Sequence, residues 1–208
     1  MQTRHNVPYF SQWESPELVL DILAGTLAAA ADPRWADSGA ADPESYDFWS
    51  WRICGMACLR MVLGQRGAPV PPAVTLAKAC MAAGGYVRRS HPGGERLDGL
   101  LYAPFAAWIA PAFGIKATVH PDLPQPEVAQ HIHDGGLAML SVHPWIRWPD
   151  RNPPQTGGHL VLATGAGDAG MWVHNPSGLP DHSQENAFIA WDDLGRFYAG
   201  RGMLIHPA

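Results

Sequence analysis

Lysine is nearly missing from this chain, with two against twelve arginines, and charged residues of both signs make up only 16% of it. The net charge is −5 and no block of like charge occurs. A nucleic-acid surface needs a basic face, and a tail that seeks a membrane or an oppositely charged partner needs a run of one sign, so both classes are excluded. No apolar run approaches the roughly 20 residues of a membrane span, so no membrane segment is expected. The leading stretch MQTRHNVPYFSQW has no apolar core of the kind a secretory signal carries. Cysteines are few and odd in number, three in all, which fits a reducing compartment better than a disulfide framework. A cytoplasmic location is the resulting expectation. The excess of arginine over lysine, with abundant alanine and glycine, points to a GC-rich bacterial genome and says nothing about activity.

What is present is a 208-residue, 47% apolar chain, long enough for one sizeable core. Nine tryptophans serve either as core filling or as walls of a substrate groove. Extended structure is expected at 7–10, and a helix over 15–31 behind Ser15. A turn-rich stretch with two Asp-Pro steps follows at 32–51. Helices are expected at 54–67 and 72–85, each stopped by glycine, with a loop at 86–99. The helix over 101–114 should break at Pro104 and Pro111. Then come a strand at 115–121, a helix at 125–136 and a strand at 137–144. Strands at 159–166 and 171–176 flank the tight-turn signal GDAG. A strand with a short helix fills 187–200, and a closing strand 203–207. Helices dominate the first half and strands the second, which defines an α+β fold with a helical side packed on a mostly antiparallel sheet.

The stretch WRICGMACLRMVL carries the first chemical candidate. Cys54 heads a helix, where unpaired backbone N–H groups and the positive end of the dipole favour thiolate. Gly55 beside it permits close approach. The position alone leaves two readings open, a nucleophile and an inert buried cysteine. Cys58, inside the same helix, and Cys80 read as core, and no second pair at zinc spacing accompanies them. A thiol nucleophile needs a base and a group to orient it. His159 opens a strand, and a hairpin turning near residue 167 sets it opposite Asn175, close enough for the amide to hold the imidazole tautomer. His174 then points to the opposite face, and His131 and His133 diverge on a helix. Backbone N–H of Cys54 and the side-chain amide of Gln12 are candidate oxyanion donors.

VPYFSQ, CGMACLRMVL, GGHLVLATGA and VHNPSG, in that order from Val7 to Gly178, resemble the papain-like cysteine peptidase superfamily, and within it the bacterial double-glycine leader peptidases and their stand-alone relatives. The resemblance implies a single papain-like peptidase domain over 1–208 with Cys54 as nucleophile, His159 as base, Asn175 as orienter and Gln12 as oxyanion donor. It departs from the family pattern twice. Forty-one residues separate Gln12 from Cys54, which makes 13–50 an insertion beside the site, and Asn175 stands where relatives often carry Asp. Asp168 could take that role only with a different hairpin register.

The expected activity is cleavage of a peptide or amide bond through an acyl-enzyme, with no metal and no cofactor. Acyl transfer by the same site, as in a ligase, cyclase or acyltransferase, is the alternative. A non-catalytic peptide-binding module is the third reading. Residues 13–50 and tryptophans 145, 148 and 172 are the expected lid, and 145–158 should overhang the site. Oligomeric state is left open.

Overall fold

The computed structural model describes residues 2–91 and 94–208. In chain order the regular elements are β1 (Thr3–Arg4), α1 (Val19–Ala24), α2 (Pro43–Ser50), α3 (Cys54–Gln65), α4 (Ala73–Ala82), β2 (Arg88–His91), β3 (Gly94–Leu97), α5 (Tyr102–Phe113), β4 (Ala117–His120), α6 (Gln125–His133), β5 (Leu137–Val142), β6 (His159–Gly167), β7 (Gly170–His174), β8 (Ala187–Ala190), α7 (Trp191–Phe197) and β9 (Tyr198–Ile205). The main sheet runs β4-β9-β5-β6-β7-β8, with every neighbouring pair antiparallel. β5 pairs with β6 only over Val142↔His159 to Ala138↔Ala163, and β1 takes over that edge at Gly165 and Ala166.

β5 and β6 are apolar at nearly every position because both of their faces are covered. Leu160, Leu162, Met139 and Met203 join one core with α3, α4 and α5. Val161, Ala163, Leu140 and Leu204 alternate to the other face and pack with α6 and α7. The expected α+β architecture is present, with the nucleophile-candidate helix α3 against the middle of the sheet and a second helical layer behind it.

Three local expectations need correction. The helix over 15–31 is cut after Ala24, where Gly25 turns left-handed with φ 73°. The helix over 101–114 does not break. Pro104 lies in the first turn, where its missing N–H would have had no partner, and Pro111 forfeits one bond close to the end at Phe113. The polar stretch 86–99 is not a loop: β2 and β3 form a separate hairpin, and its tip, residues 92–93, lies outside the described residues.

The turn-rich reading of 32–51 missed α2. Asp42 caps its start by accepting from Ser45 N at 2.6 Å, with Pro43 as first helical residue. The other Asp-Pro step does different work. Asp32 is buried and accepts from Ser15 N (3.1 Å), Ser15 Oγ (2.6 Å), Arg34 N (2.9 Å) and Tyr46 Oη (2.6 Å). Burial opposes its charge, yet these bonds together outweigh it and hold the carboxyl below its usual value. Around this hub Trp13, Val19, Ile22, Ala29 and Tyr46 form a small apolar core of their own.

Candidate active site

Cys54 is the first residue of α3, and no side chain caps that helix start; Met56 and Ala57 N–H donate to Ile53 O, which leaves the N–H groups of Cys54 and Gly55 to act on the thiol and on whatever approaches it. Gly55 gives close packing: a β-carbon there would lie 2.6 Å from Leu100 Cδ2 and 3.3 Å from Leu160 Cδ1, and those leucine side chains would have to shift. Glycine thereby lets the head of α3 sit against the start of β6, next to His159. Cys54 is half-buried on a cleft of about 700 Å³, whereas Cys58 and Cys80 are buried and all three are free thiols. Burial pushes the Cys54 thiol up from its ordinary value, and the backbone amides of Leu160, Gly55 and Cys54 only partly pull it back. Burial of the thiol thus works against the thiolate that the helix start favours. Burial pushes Cys80 up to about 12 and also pushes Cys58 well above its ordinary value, as suits core residues.

His159 is only 7% exposed, and its Nε2 lies 2.8 Å from Asn175 Oδ1. Ser177 N–H donates to the same oxygen at 3.1 Å. A backbone N–H can only donate, which fixes the amide orientation. The oxygen must then accept from His159, so Nε2 carries the proton and Nδ1 keeps its lone pair. The neighbours are as expected, but the route is not. The β6–β7 register passes from Gly165↔Trp172 to Ala163↔Val173 through a bulge, and β7 stops at His174. Asn175 reaches His159 from the turn beyond the strand, not from across a ladder.

Sequence reasoning missed two residues here. Ser177 Oγ lies 3.1 Å from His159 Nε2, and Arg147 Nη2 donates to that oxygen at 2.7 Å. Burial lowers the His159 pKa to about 3, the nearby Arg147 charge adds to this, and the Asn175 bond offsets only part of it. Both shifts favour the uncharged forms, thiol and neutral imidazole. Position gave the only available signal: Ser177 lies two residues beyond Asn175, and Arg147 sits within the expected overhang.

Gln12 lines the same cleft despite the distance in sequence. Its Nε2 donates to Ser50 O at 2.9 Å, one of the carbonyls left open where α2 ends, and its second N–H stays uncommitted. Its Oε1 is buried with no partner among the described residues. The backbone leading to Gln12 is pinned to the segment around Asn175. His174 Nε2 donates to Val7 O (2.8 Å), Tyr9 Oη to Asn175 O (3.0 Å) and Gln12 N to Pro176 O (2.9 Å). His174 is accordingly a buried structural histidine.

Other expectations fall away from the cleft. Of the proposed lid, Trp13 and Leu23 do line it, joined by Trp51, which meets Trp13 edge-on at 5.2 Å. Tryptophans 145, 148 and 172 do not; Trp172 packs on Phe188. From 145–158 only Arg147 and Gly158 reach the cleft wall. Asp168 stays in the β6–β7 turn. His131 bonds Ile205 O and His133 bonds Thr3 Oγ1, and no metal-binding cluster exists among the described residues.

The fold, a helix headed by Cys54 packed against an antiparallel sheet with His159 at the start of the facing strand, is similar to that of solved peptidase domains. Solved structures bear out the fold. The peptidase domain of Streptococcus ComA, a bi-functional ABC transporter involved in a quorum-sensing pathway, aligns with a TM-score of 0.50 and 12% identity over 76% of this chain and 93% of that one. A C39-like peptidase from Bacillus anthracis aligns with a TM-score of 0.53 and 15% identity over 76% and 90%. No protein-family model matches the chain. No curated protein matches it either.

Proposed function

We propose that the protein is a cysteine peptidase that hydrolyses a peptide or amide bond through Cys54, His159 and Asn175, with an acyl-enzyme intermediate. The observation that carries this reading is the convergence on one cleft of Cys54, Gln12 and a His159 whose tautomer leaves Nδ1 basic. As Sγ attacks the substrate carbonyl, its proton passes to His159 Nδ1. Because both shifts favour the neutral forms, this transfer accompanies the attack instead of preceding it. Cys54 N–H and the uncommitted Gln12 N–H stabilise the oxyanion. The imidazolium then protonates the leaving amine, the C–N bond breaks and a thioester remains. Water attacks the thioester with His159 as base, and the returned proton restores the thiol. Asn175 orients the ring throughout, stabilising its charged form less than a carboxylate would.

Residues 13–50 act in this reading as an insertion within one domain, supplying a cleft wall through Trp13 and Leu23 and the α2 carbonyl that holds Gln12. The three free thiols support a cytoplasmic location. The test is turnover of a randomised peptide pool read by product mass. Cys54→Ala should abolish the products, each pair of which sums to the parent plus one water, and keep the thermal midpoint. Undiminished cleavage by Cys54→Ala would overturn the proposal. Acyl transfer to an amine is favoured by one observation, the near-complete enclosure of His159 from water. Products joined without gain of water would mark it.

A further inference from the structure

Arg147 is buried, 8% exposed, on the wall of the cleft. Burial lowers its pKa only to about 10, so it is charged at neutral pH. Its one hydrogen bond is to Ser177 Oγ, a neutral acceptor, and its flat face lies 5.3 Å from the Trp148 ring. Nε is sealed with no partner, and no carboxylate approaches among the described residues. Burying an arginine without an anion is costly, and other arginines here are supplied with one: Arg60 meets Glu14 at 3.1 Å and Arg196 meets Asp193 at 2.6 Å. The surroundings share the bias. Arg52 and Arg201 also line the cleft, while Asp98, the acidic residue there, is already paired with Arg89 at 2.5 Å. An acidic protein has built a cationic cleft.

The place of Arg147 says which part of a substrate it meets. His159 must protonate the leaving nitrogen, so the leaving fragment passes beside the imidazole. The guanidinium reaches the Nε2 side of the ring through one hydroxyl, 2.7 Å to Ser177 Oγ and 3.1 Å on to Nε2, so Arg147 shares the His159 wall of the cleft while Nδ1 is left to face the leaving nitrogen. We propose that Arg147 receives a carboxylate of the leaving fragment, so that the enzyme cleaves next to a residue bearing an anion near the scissile nitrogen. This rests on the peptidase reading. The carboxylate would pair with the Nη groups, since Nε is sealed from the cleft. It would also neutralise the charge that, with burial and His143, suppresses protonation of His159, so that the anionic substrate itself readies the base. The carboxylate is either the free C-terminus of a single departing residue or an acidic side chain.

The test needs no known substrate: alkylation of Cys54 by iodoacetate and by its neutral analogue iodoacetamide at pH 8, read by peptide mapping. The iodoacetate-to-iodoacetamide rate ratio should fall about tenfold or more in Arg147→Gln and stay within about twofold in Arg147→Lys, which keeps the charge. An unchanged ratio in Arg147→Gln overturns the inference and leaves the peptidase reading standing. A Cys54 inert to both reagents removes that reading and the inference with it. Quenched peptide pools then separate the two sources. Preference for a free over an amidated terminal residue marks the C-terminus, and preference for Asp over Asn within an amidated chain marks the side chain. Equal cleavage of all four overturns the proposal.

Discussion

The two walls of the cleft each draw an arginine out of solvent, and they treat it differently. Behind the wall to which Gln12, Trp13 and Cys54 contribute, and outside the cleft lining, Arg60 stacks on Phe10 at 4.6 Å and pairs with Glu14. On the wall built from residues 143–148 and 175–177, Arg147 has a hydroxyl and an aromatic face but no anion. The first arginine sits in a finished ion pair, though burial still pushes the Glu14 carboxyl up against the pull of Arg60. The second is a charge left open toward the cleft. A paired buried charge serves the fold, whereas an unpaired one beside reactive groups awaits a partner from outside.

Four substitutions or conditions break the comparison, in falling order of effect. Glu14→Gln strands Arg60 and should destabilise the protein by about 3–5 kcal/mol, whereas Arg147→Gln removes a charge already unpaired and should cost under about 1 kcal/mol. Urea midpoints of the two variants read the difference, and equal losses would erase the distinction between the walls. Gln12→Ala should lower kcat about 10²- to 10³-fold with little change in KM, as loss of an oxyanion donor does; a pure KM effect would assign Gln12 to substrate binding. Acidification acts on the second wall. His159 is held near 3 against an ordinary 6.5, so between those values the unfolded chain binds more protons than the folded one. Stability therefore rises with pH across that window and is lost on acidification through it. Buried His174 adds in the same direction, so His159→Gln should reduce the acid loss without abolishing it. Parallel urea midpoints for wild type and His159→Gln from pH 7 to 4 would contradict this. Ser177→Ala leaves Arg147 Nη2 without an acceptor and should cost about 1–3 kcal/mol, more than Arg147→Gln itself.

The chemistry was more legible in the sequence than the loops that organise it. Cys54, His159 and Asn175 stand out because helix starts and strand ends leave local signals. The continuous apolar run of β6 marks a strand buried on both faces. Asn175 was reached by the wrong path, since a bulge near Gly165 has no clear mark in GHLVLATGA. Gln12 looked remote because distance in sequence hides a fold-back: α2 begins with a cap that reads equally well as a turn, and its end supplies the Ser50 carbonyl that holds the amide. Arg147 was invisible as a site residue. An arginine becomes informative only when burial and the absence of a carboxylate are both known, and neither is written in the local pattern WIRWP. The depressed basicity of His159 comes first from burial and then from that same neighbour.

The central claim, that His159 activates Cys54, is tested most directly by the rate of iodoacetamide labelling of each cysteine from pH 5 to 9, in wild type and in His159→Ala. A neutral resting pair predicts labelling of Cys54 alone, slow below pH 7 and rising with pH, and about tenfold slower in His159→Ala. Equal rates for Cys54, Cys58 and Cys80, or a Cys54 rate unchanged by His159→Ala, would contradict the account.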